Sequence, residues 1–219
     1  MLVPFAASLA HEVRNPLTSI RIDLQRVEEA LPADSPLRVP VQRALREVAR
    51  LDRAVSGALR VARSGDIASD LLDLRVPLRH AIEVAGIVFE RAGSTLDAEE
   101  AGGVPIPVRG DESALEQVFL NVLLNAAQAL GAAGSASVAV TTESGRACVV
   151  VRDSGAGIAP EWLERVFDPF VTTRAEGTGL GLPIARGIVV AHGGTIGIES
   201  SPAQGTTVSI ELPLTGGLS

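Results

Sequence analysis

With 219 residues, of which 46% are hydrophobic, the chain carries enough apolar content for one large globular domain or two small ones. Its net charge of −7 is built from acidic and basic residues interspersed along the whole length. No single-sign block is present to grip a nucleic-acid backbone or an anionic membrane, so neither partner is favoured. All of the 19 basic residues are arginine, which carries no functional message.

The only cysteine, Cys148, excludes an intrachain disulfide and reads as a small buried strand residue of a reduced protein. No apolar run approaches the roughly 20 residues that span a bilayer, and no signal-type segment opens the chain. The expectation is a cytoplasmic fragment without membrane contact, any sensory or transmembrane part lying outside it.

From Phe5 the apolar residues Leu9, Val13, Leu17, Ile20, Leu24, Val27 and Leu31 follow at intervals of three or four, the stripe of a long amphipathic helix. Pro32-Ala-Asp-Ser-Pro36 has strong turn chemistry. The pattern then resumes through Val41, Leu45, Val48, Leu51, Val55, Leu59 and Ala62 as a second helix. A lone antiparallel hairpin leaves much of its stripe in water, whereas two hairpins pair into a four-helix bundle, so a symmetric homodimer is expected.

The helical period stops near Ser64-Gly-Asp, and from about Leu74 helix and strand patterns alternate. Helices are expected over 76–91, 112–130 and 180–191, the last ending at Gly193-Gly194. Short strands are expected over 95–100 and 106–108. Strands over 136–142 and 147–152, and again over 195–199 and 206–212, form two hairpins. The fold class is therefore two domains, a helical hairpin over 1–66 and an α/β sandwich with one helical layer over 74–215, joined by a linker over 67–73.

His11 stands one residue outside the apolar stripe, in His-Glu-Val-Arg-Asn-Pro. A neutral imidazole there offers an unprotonated nitrogen as nucleophile, and the adjacent Glu12 can accept a hydrogen bond from the other ring nitrogen. Asn15 follows one turn later on the same face, where its amide can orient a water, and Pro16 deprives the Glu12 carbonyl of its helical donor. His80 is expected on a helix surface. His192 is expected at a helix C-terminus with partial positive charge against the dipole.

On the helix over 112–130, Leu115, Val118, Phe119, Val122, Ala126 and Ala129 form a core stripe, and Gln117, Asn121, Asn125 and Gln128 a second, amide stripe. Such amides suit either solvent or a polar ligand. The strand Val149-Val-Val-Arg-Asp153 runs into Ser-Gly155-Ala-Gly157-Ile158, a carboxylate followed by a turn without Cβ atoms, which leaves room for a ring whose amine donates to Asp153. Phe167-Asp-Pro-Phe170-Val-Thr-Thr173-Arg174-Ala-Glu-Gly177-Thr178-Gly179-Leu180-Gly181 then opens a helix, where convergent backbone N–H groups favour phosphates.

In this order the motifs resemble the H, N, G1, F and G2 boxes of sensor histidine kinases, and the resemblance covers nearly the whole chain. It implies a dimeric phosphotransfer hairpin followed by an ATP-binding domain of the kind shared with gyrase and chaperone ATPases. It implies ATP and Mg²⁺ as cofactors and a response regulator as partner. By the resemblance His11 takes the γ-phosphoryl group, Glu12 assists, Asn15 serves a reverse phosphatase activity, and Asn125 supplies an oxygen to Mg²⁺. Asp153 reads adenine, and Asn121, Gln128, Gly155, Gly157, Ile158, Phe170, Thr173, Arg174, Gly177, Thr178, Gly179, Leu180, Gly181 and Thr206 complete the nucleotide site. Arg174 departs from the lysine common in relatives, presenting a planar fork in place of a compact ammonium.

Three rivals share the scaffold. ATPases of the gyrase, MutL and chaperone type need a glutamate where this chain has Asn121, and an amide cannot act as the base. Serine-protein kinases of the anti-sigma type lack the histidine hairpin. A degenerate nucleotide-binding scaffold is disfavoured because no box is visibly broken.

Overall fold

The computed structural model describes residues 3–32, 35–45, 48–49, 70–98, 104–131, 133–174 and 177–215. The chain divides into two compact units, Met1–Gly65 and Asp66–Ser219. No helix among the described residues is long and apolar enough to cross a membrane.

In the first unit α1 (Val3–Ala30) runs for 28 residues and contains Pro16. Arg38, at the start of α2 (38–45), meets carbonyls at the end of α1 and in the turn that follows it. The guanidinium donates to the carbonyls of Pro32 at 3.2 Å, Leu31 at 3.4 Å and Glu28 at 3.5 Å. Gln42 adds a bond from its amide to Glu28 at 2.9 Å, so the turn and both helix ends are tied together. The α1 stripe is only partly covered within one chain: Leu24 and Leu31 are half-buried, but Ile20 and Val27 remain 46% and 45% exposed. Of the second stripe Val48 is buried; Leu51 to Ala62 lie outside the described residues.

The second unit is an α/β sandwich. Its main sheet has the order β2-β4-β5-β7-β6, where β2 is Thr95–Ala98, β4 Ser135–Glu143, β5 Arg146–Asp153, β6 Thr195–Ser200 and β7 Thr206–Pro213. Only β2 and β4 are parallel. Alternation along the strands buries one face: Ala147, Val149, Val151 and Asp153 on β5 meet Val208, Ile210 and Leu212 on β7, while Arg152 is exposed on the other side. Helices α3 (Arg75–Arg91), α4 (Glu112–Ala129) and α6 (Gly181–Ala191) bury their apolar stripes here, and α5 (Pro160–Leu163) is a single turn. Phe89, Leu115 and Phe119 are essentially inaccessible to solvent, each contributing roughly 1.5–3 kcal/mol by burial. Asp111 caps α4 by accepting from the Ala114 N–H at 3.0 Å.

Two expectations need correction. The stretch 67–73, expected as a linker, contains β1 (Asp70–Asp73), which pairs antiparallel with β3 (Pro107–Gly110). The cause is a long-range contact with no local signature: Asp73 accepts from the Ile106 N–H at 3.0 Å and from the Arg75 guanidinium at 2.8 Å. Burial pushes the Asp73 carboxyl up, but these hydrogen bonds outweigh it and hold the group below the usual range. His192 does sit at the C-terminus of α6, but as a neutral ring. Its Nδ1 lies 2.7 Å from the Ile188 carbonyl, which can only accept, and its Nε2 accepts from the Asp111 N–H at 3.1 Å. A proton on each nitrogen would leave the Asp111 donor facing another donor.

Candidate nucleotide site and phospho-acceptor helix

α1 carries His11, Glu12 and Asn15 in its N-terminal half; their side chains lie outside the described residues. Pro16, which follows them, is exposed.

The nucleotide-site residues fall at one end of the second unit, where α4, the turn after β5 and the N-terminus of α6 meet. Gln117 donates to Asn121 Oδ1 at 2.8 Å, and Asn121 Nδ2 donates to the Gly181 carbonyl at 3.1 Å. The amide stripe of α4 is thereby locked to the first residue of α6. A Cβ at Gly181 would lie 3.4 Å from Asn125 Nδ2, so glycine there leaves the Asn125 amide its space. Among the described residues no three of His, Cys, Asp and Glu cluster as a metal site. The Asn125 oxygen together with phosphate and water would make a donor set that suits a hard ion such as Mg²⁺.

Arg174 bridges α4 and the glycine run. Its guanidinium donates to Gln128 Oε1 at 2.8 Å and to the Asn125 carbonyl at 3.1 Å. Burial lowers its pKa, and the charge of Asp153 acts against that shift. Thr172 holds the same turn by accepting from the Arg174 N–H at 3.1 Å. Thr173 is exposed. Phe170 is 71% exposed and adopts a left-handed φ of 67°, its N–H donating to the Gly179 carbonyl at 2.9 Å. Gly179, at φ 63°, lies against the Phe170 and Val171 backbone, where a side chain has no room. A Cβ at Gly177 would strike Thr172 Oγ1. The Thr178 hydroxyl accepts from the Leu180 N–H at 3.4 Å beside the first turn of α6, and Leu180 itself is buried.

Asp153 ends β5 with 7% of its surface exposed. Its Oδ1 accepts from the Gly155 N–H at 2.8 Å. Burial pushes its carboxyl up, and the N–H groups of Gly155 and Thr206 and the charge of Arg174 pull it back down in part. The turn after it is packed too tightly for side chains: a Cβ at Gly155 would lie 2.6 Å from the Ala129 carbonyl, and one at Gly157 would strike the Ser201 carbonyl. The Ile158 N–H donates to Ser200 Oγ at 2.9 Å, and the Ala203 N–H to the Ala156 carbonyl at 2.7 Å. The β6–β7 turn thus forms the floor of the Asp153 loop.

Asn121, Asn125, Gln128, Arg174 and Gly181 are brought together by direct contacts, as are Asp153, Gly155, Gly157, Ile158 and Thr206. Sequence reasoning missed Gln117 as the partner of Asn121, Thr172 as the brace of Arg174, and Ser200. None has a local motif, although Gln117 had been visible in the amide stripe.

Comparison with known proteins agrees with this arrangement. Residues 2–67 match the His Kinase A (phospho-acceptor) domain. Residues 110–216 match the histidine kinase-, DNA gyrase B- and HSP90-like ATPase family. The sensor histidine kinase ZraS of Klebsiella oxytoca is 39% identical over 214 residues, covering 96% of this chain and 46% of its own length. The chain thus spans about half the length of such curated relatives. Full-length ShkA, solved in complex with AMPPNP, superposes with a TM-score of 0.79 at 27% identity, covering 99% of this chain and 47% of that one. ThkA in complex with the response regulator TrrA gives a TM-score of 0.68 at 26% identity, covering 98% and 62%. With both family models matched and a sensor kinase 39% identical along nearly the whole chain, the chain belongs to the sensor histidine kinases and carries their catalytic core.

Proposed function

We propose that this chain is an ATP-dependent protein-histidine autokinase that phosphorylates His11 and passes the phosphoryl group to an aspartate of a response regulator. The reading is supported by Arg174, which bonds the Asn125 carbonyl and feels the charge of Asp153, by the Asn125 amide beside Gly181 at the start of α6, and by His11 in His-Glu-x-x-Asn-Pro on the first helix. A ring nitrogen of His11 attacks the γ-phosphorus, the bond to the bridging oxygen of the β-phosphate breaks, and ADP departs with the electron pair. Glu12 holds the proton of the other ring nitrogen as positive charge develops there. Asp153 accepts from the exocyclic amine of adenine, and the N–H groups at the start of α6 take the phosphates. Bound at Asn125, Mg²⁺ would neutralise phosphate charge.

The phosphotransfer hairpin lies within 1–66, and the ATP-binding domain takes in β1 and runs from residue 70 to 215. Two hairpins pair as a homodimer, a reading supported by the exposed Ile20 and Val27 on α1. The reaction runs on the cytoplasmic side, where ATP and response regulators are found. Asn15 orients water for dephosphorylation of the partner, so Asn15→Ala should retain autophosphorylation yet lose phosphatase activity in a time course with phosphorylated regulator.

Incubation with γ-labelled ATP tests the reading. A label stable in alkali and lost in acid is expected of phosphohistidine, and an acid-stable label or release of free phosphate alone would contradict it.

A further inference from the structure

Three polar side chains lie in one row across adjacent strands. Ser200 of β6 stands opposite Thr206 of β7, and Thr206 opposite Asp153 of β5. Directly opposed residues project from the same face of a sheet, here the face on which Thr206 and Asp153 are buried.

Hydrogen-bond accounting gives this row a direction. A serine hydroxyl has one proton and two lone pairs. Ser200 Oγ accepts from the Ile158 N–H at 2.9 Å, lies 2.8 Å from the Gly205 carbonyl, and lies 3.0 Å from Thr206 Oγ1. The carbonyl can only accept, so it takes the Ser200 proton. The contact with Thr206 is then satisfied only if Thr206 donates into the second lone pair of Ser200. With its one proton turned toward Ser200, Thr206 has only lone pairs left for anything bound on its other side. Asp153, beside it, is also an acceptor, and its Oδ1 is already engaged by Gly155.

We infer that Ser200 is a specificity-determining residue of the nucleotide site: by fixing the Thr206 hydroxyl as an acceptor, it makes the Asp153 edge of the pocket select a 6-amino purine over a 6-oxo purine. The inference rests on the reading that Asp153 meets the base. Adenine places an N–H donor at C6, whereas hypoxanthine and guanine place a carbonyl there, which would face lone pairs on both sides. Without Ser200, the Thr206 hydroxyl is free to rotate and donate to that carbonyl. Ser200 acts through Thr206 and is a positioning residue, not one that touches the reacting atoms.

Calorimetric titration of the full chain with ATP and with ITP separates this role from simple bracing of the turn. The wild-type protein should prefer ATP by on the order of a hundredfold, as expected when a hydrogen bond to a charged group is lost. Ser200→Ala should reduce that preference by about tenfold, with ATP weakened and ITP not weakened. Ser200→Thr, which keeps the hydroxyl, should restore it. If Ser200→Ala fails to fold, Thr206→Val serves the same purpose, because it keeps the branched shape and removes the acceptor; its preference should also fall. Equal weakening of both nucleotides in Ser200→Ala, or an unchanged ratio in either variant, would overturn the inference. Failure of the underlying reading looks different: there Asp153→Asn would bind ATP as tightly as wild type.

Discussion

The two units bury their sequences in opposite ways. On α1 the predicted apolar stripe is intact as a pattern, yet Ile20 and Val27 remain nearly half exposed in a single chain. On α4 the same kind of stripe is covered completely, with Leu115, Val118 and Phe119 at 0% exposure. The first surface leaves apolar side chains in water. The second is finished, and what it leaves open is polar: a row of amides, a buried carboxylate and glycine-lined backbone. The exposed Ile20 and Val27 on α1 suit a protein partner, and the buried Asp153 beside the amide row suits a polar ligand.

Asn125→Ala removes the side-chain oxygen proposed to meet the cation and should slow labelling from γ-labelled ATP on the order of a hundredfold, with a smaller effect on nucleotide affinity. An unchanged labelling rate would remove Asn125 from the site.

Asp153→Asn should weaken ATP by roughly tenfold or more, the loss of a hydrogen bond to a charged group, in calorimetry. It should not lower the thermal midpoint. Burial raises the Asp153 carboxyl above its ordinary value despite its N–H partners and Arg174. For a group whose folded pKa is raised, the stabilising contribution is present below the ordinary value and is lost as pH rises through the folded one. At neutral pH the ionised carboxylate therefore opposes folding, and the neutral amide relieves it. A variant that binds ATP normally, or that melts well below wild type at pH 7, would contradict this.

The double variant Ile20→Glu, Val27→Glu should shift the protein toward monomer in light scattering while leaving ATP affinity within about twofold, since the two surfaces belong to separate units. Retained dimers would show that the exposed stripe is not the interface. The smallest effect belongs to Asp73→Ala, which leaves the Ile106 N–H without its acceptor and should cost about 1–3 kcal/mol in urea denaturation at pH 7. Because hydrogen bonding outweighs burial and lowers the Asp73 carboxyl, its contribution is full above the ordinary carboxylate range and fades as pH falls through the lowered value. The difference between variant and wild type should shrink accordingly in acid.

Most of the fold was legible because it is written in period. The 3.6-residue stripes gave α1, α3, α4 and α6, the valine-rich alternation gave the β4–β5 hairpin, and the β6–β7 hairpin was placed after Gly193-Gly194, each strand to within one or two residues at each end. What could not be read was set by pairing at a distance. β1 is four residues whose partner lies more than thirty positions away, and Pro107–Gly110 extends beyond the expected strand because that partner continues. The site divides along the same line. Asp153, Asn125 and the glycine run stand in motifs that state their chemistry locally. Ser200 is an ordinary residue at a strand end until the register of three strands places it beside Thr206. The neutral His192 is legible only once Asp111 is seen to donate to it.

The central claim is that one unit supplies the nucleophile and the other the nucleotide, and a single variant tests it most directly. His11→Gln should be assayed in parallel for ATP affinity by calorimetry and for labelling from γ-labelled ATP. The account predicts ATP affinity within about twofold of wild type and no acid-labile label, because His11 lies in the first unit and the nucleotide residues in the second. Undiminished acid-labile labelling of His11→Gln, or loss of ATP binding along with the label, would contradict it.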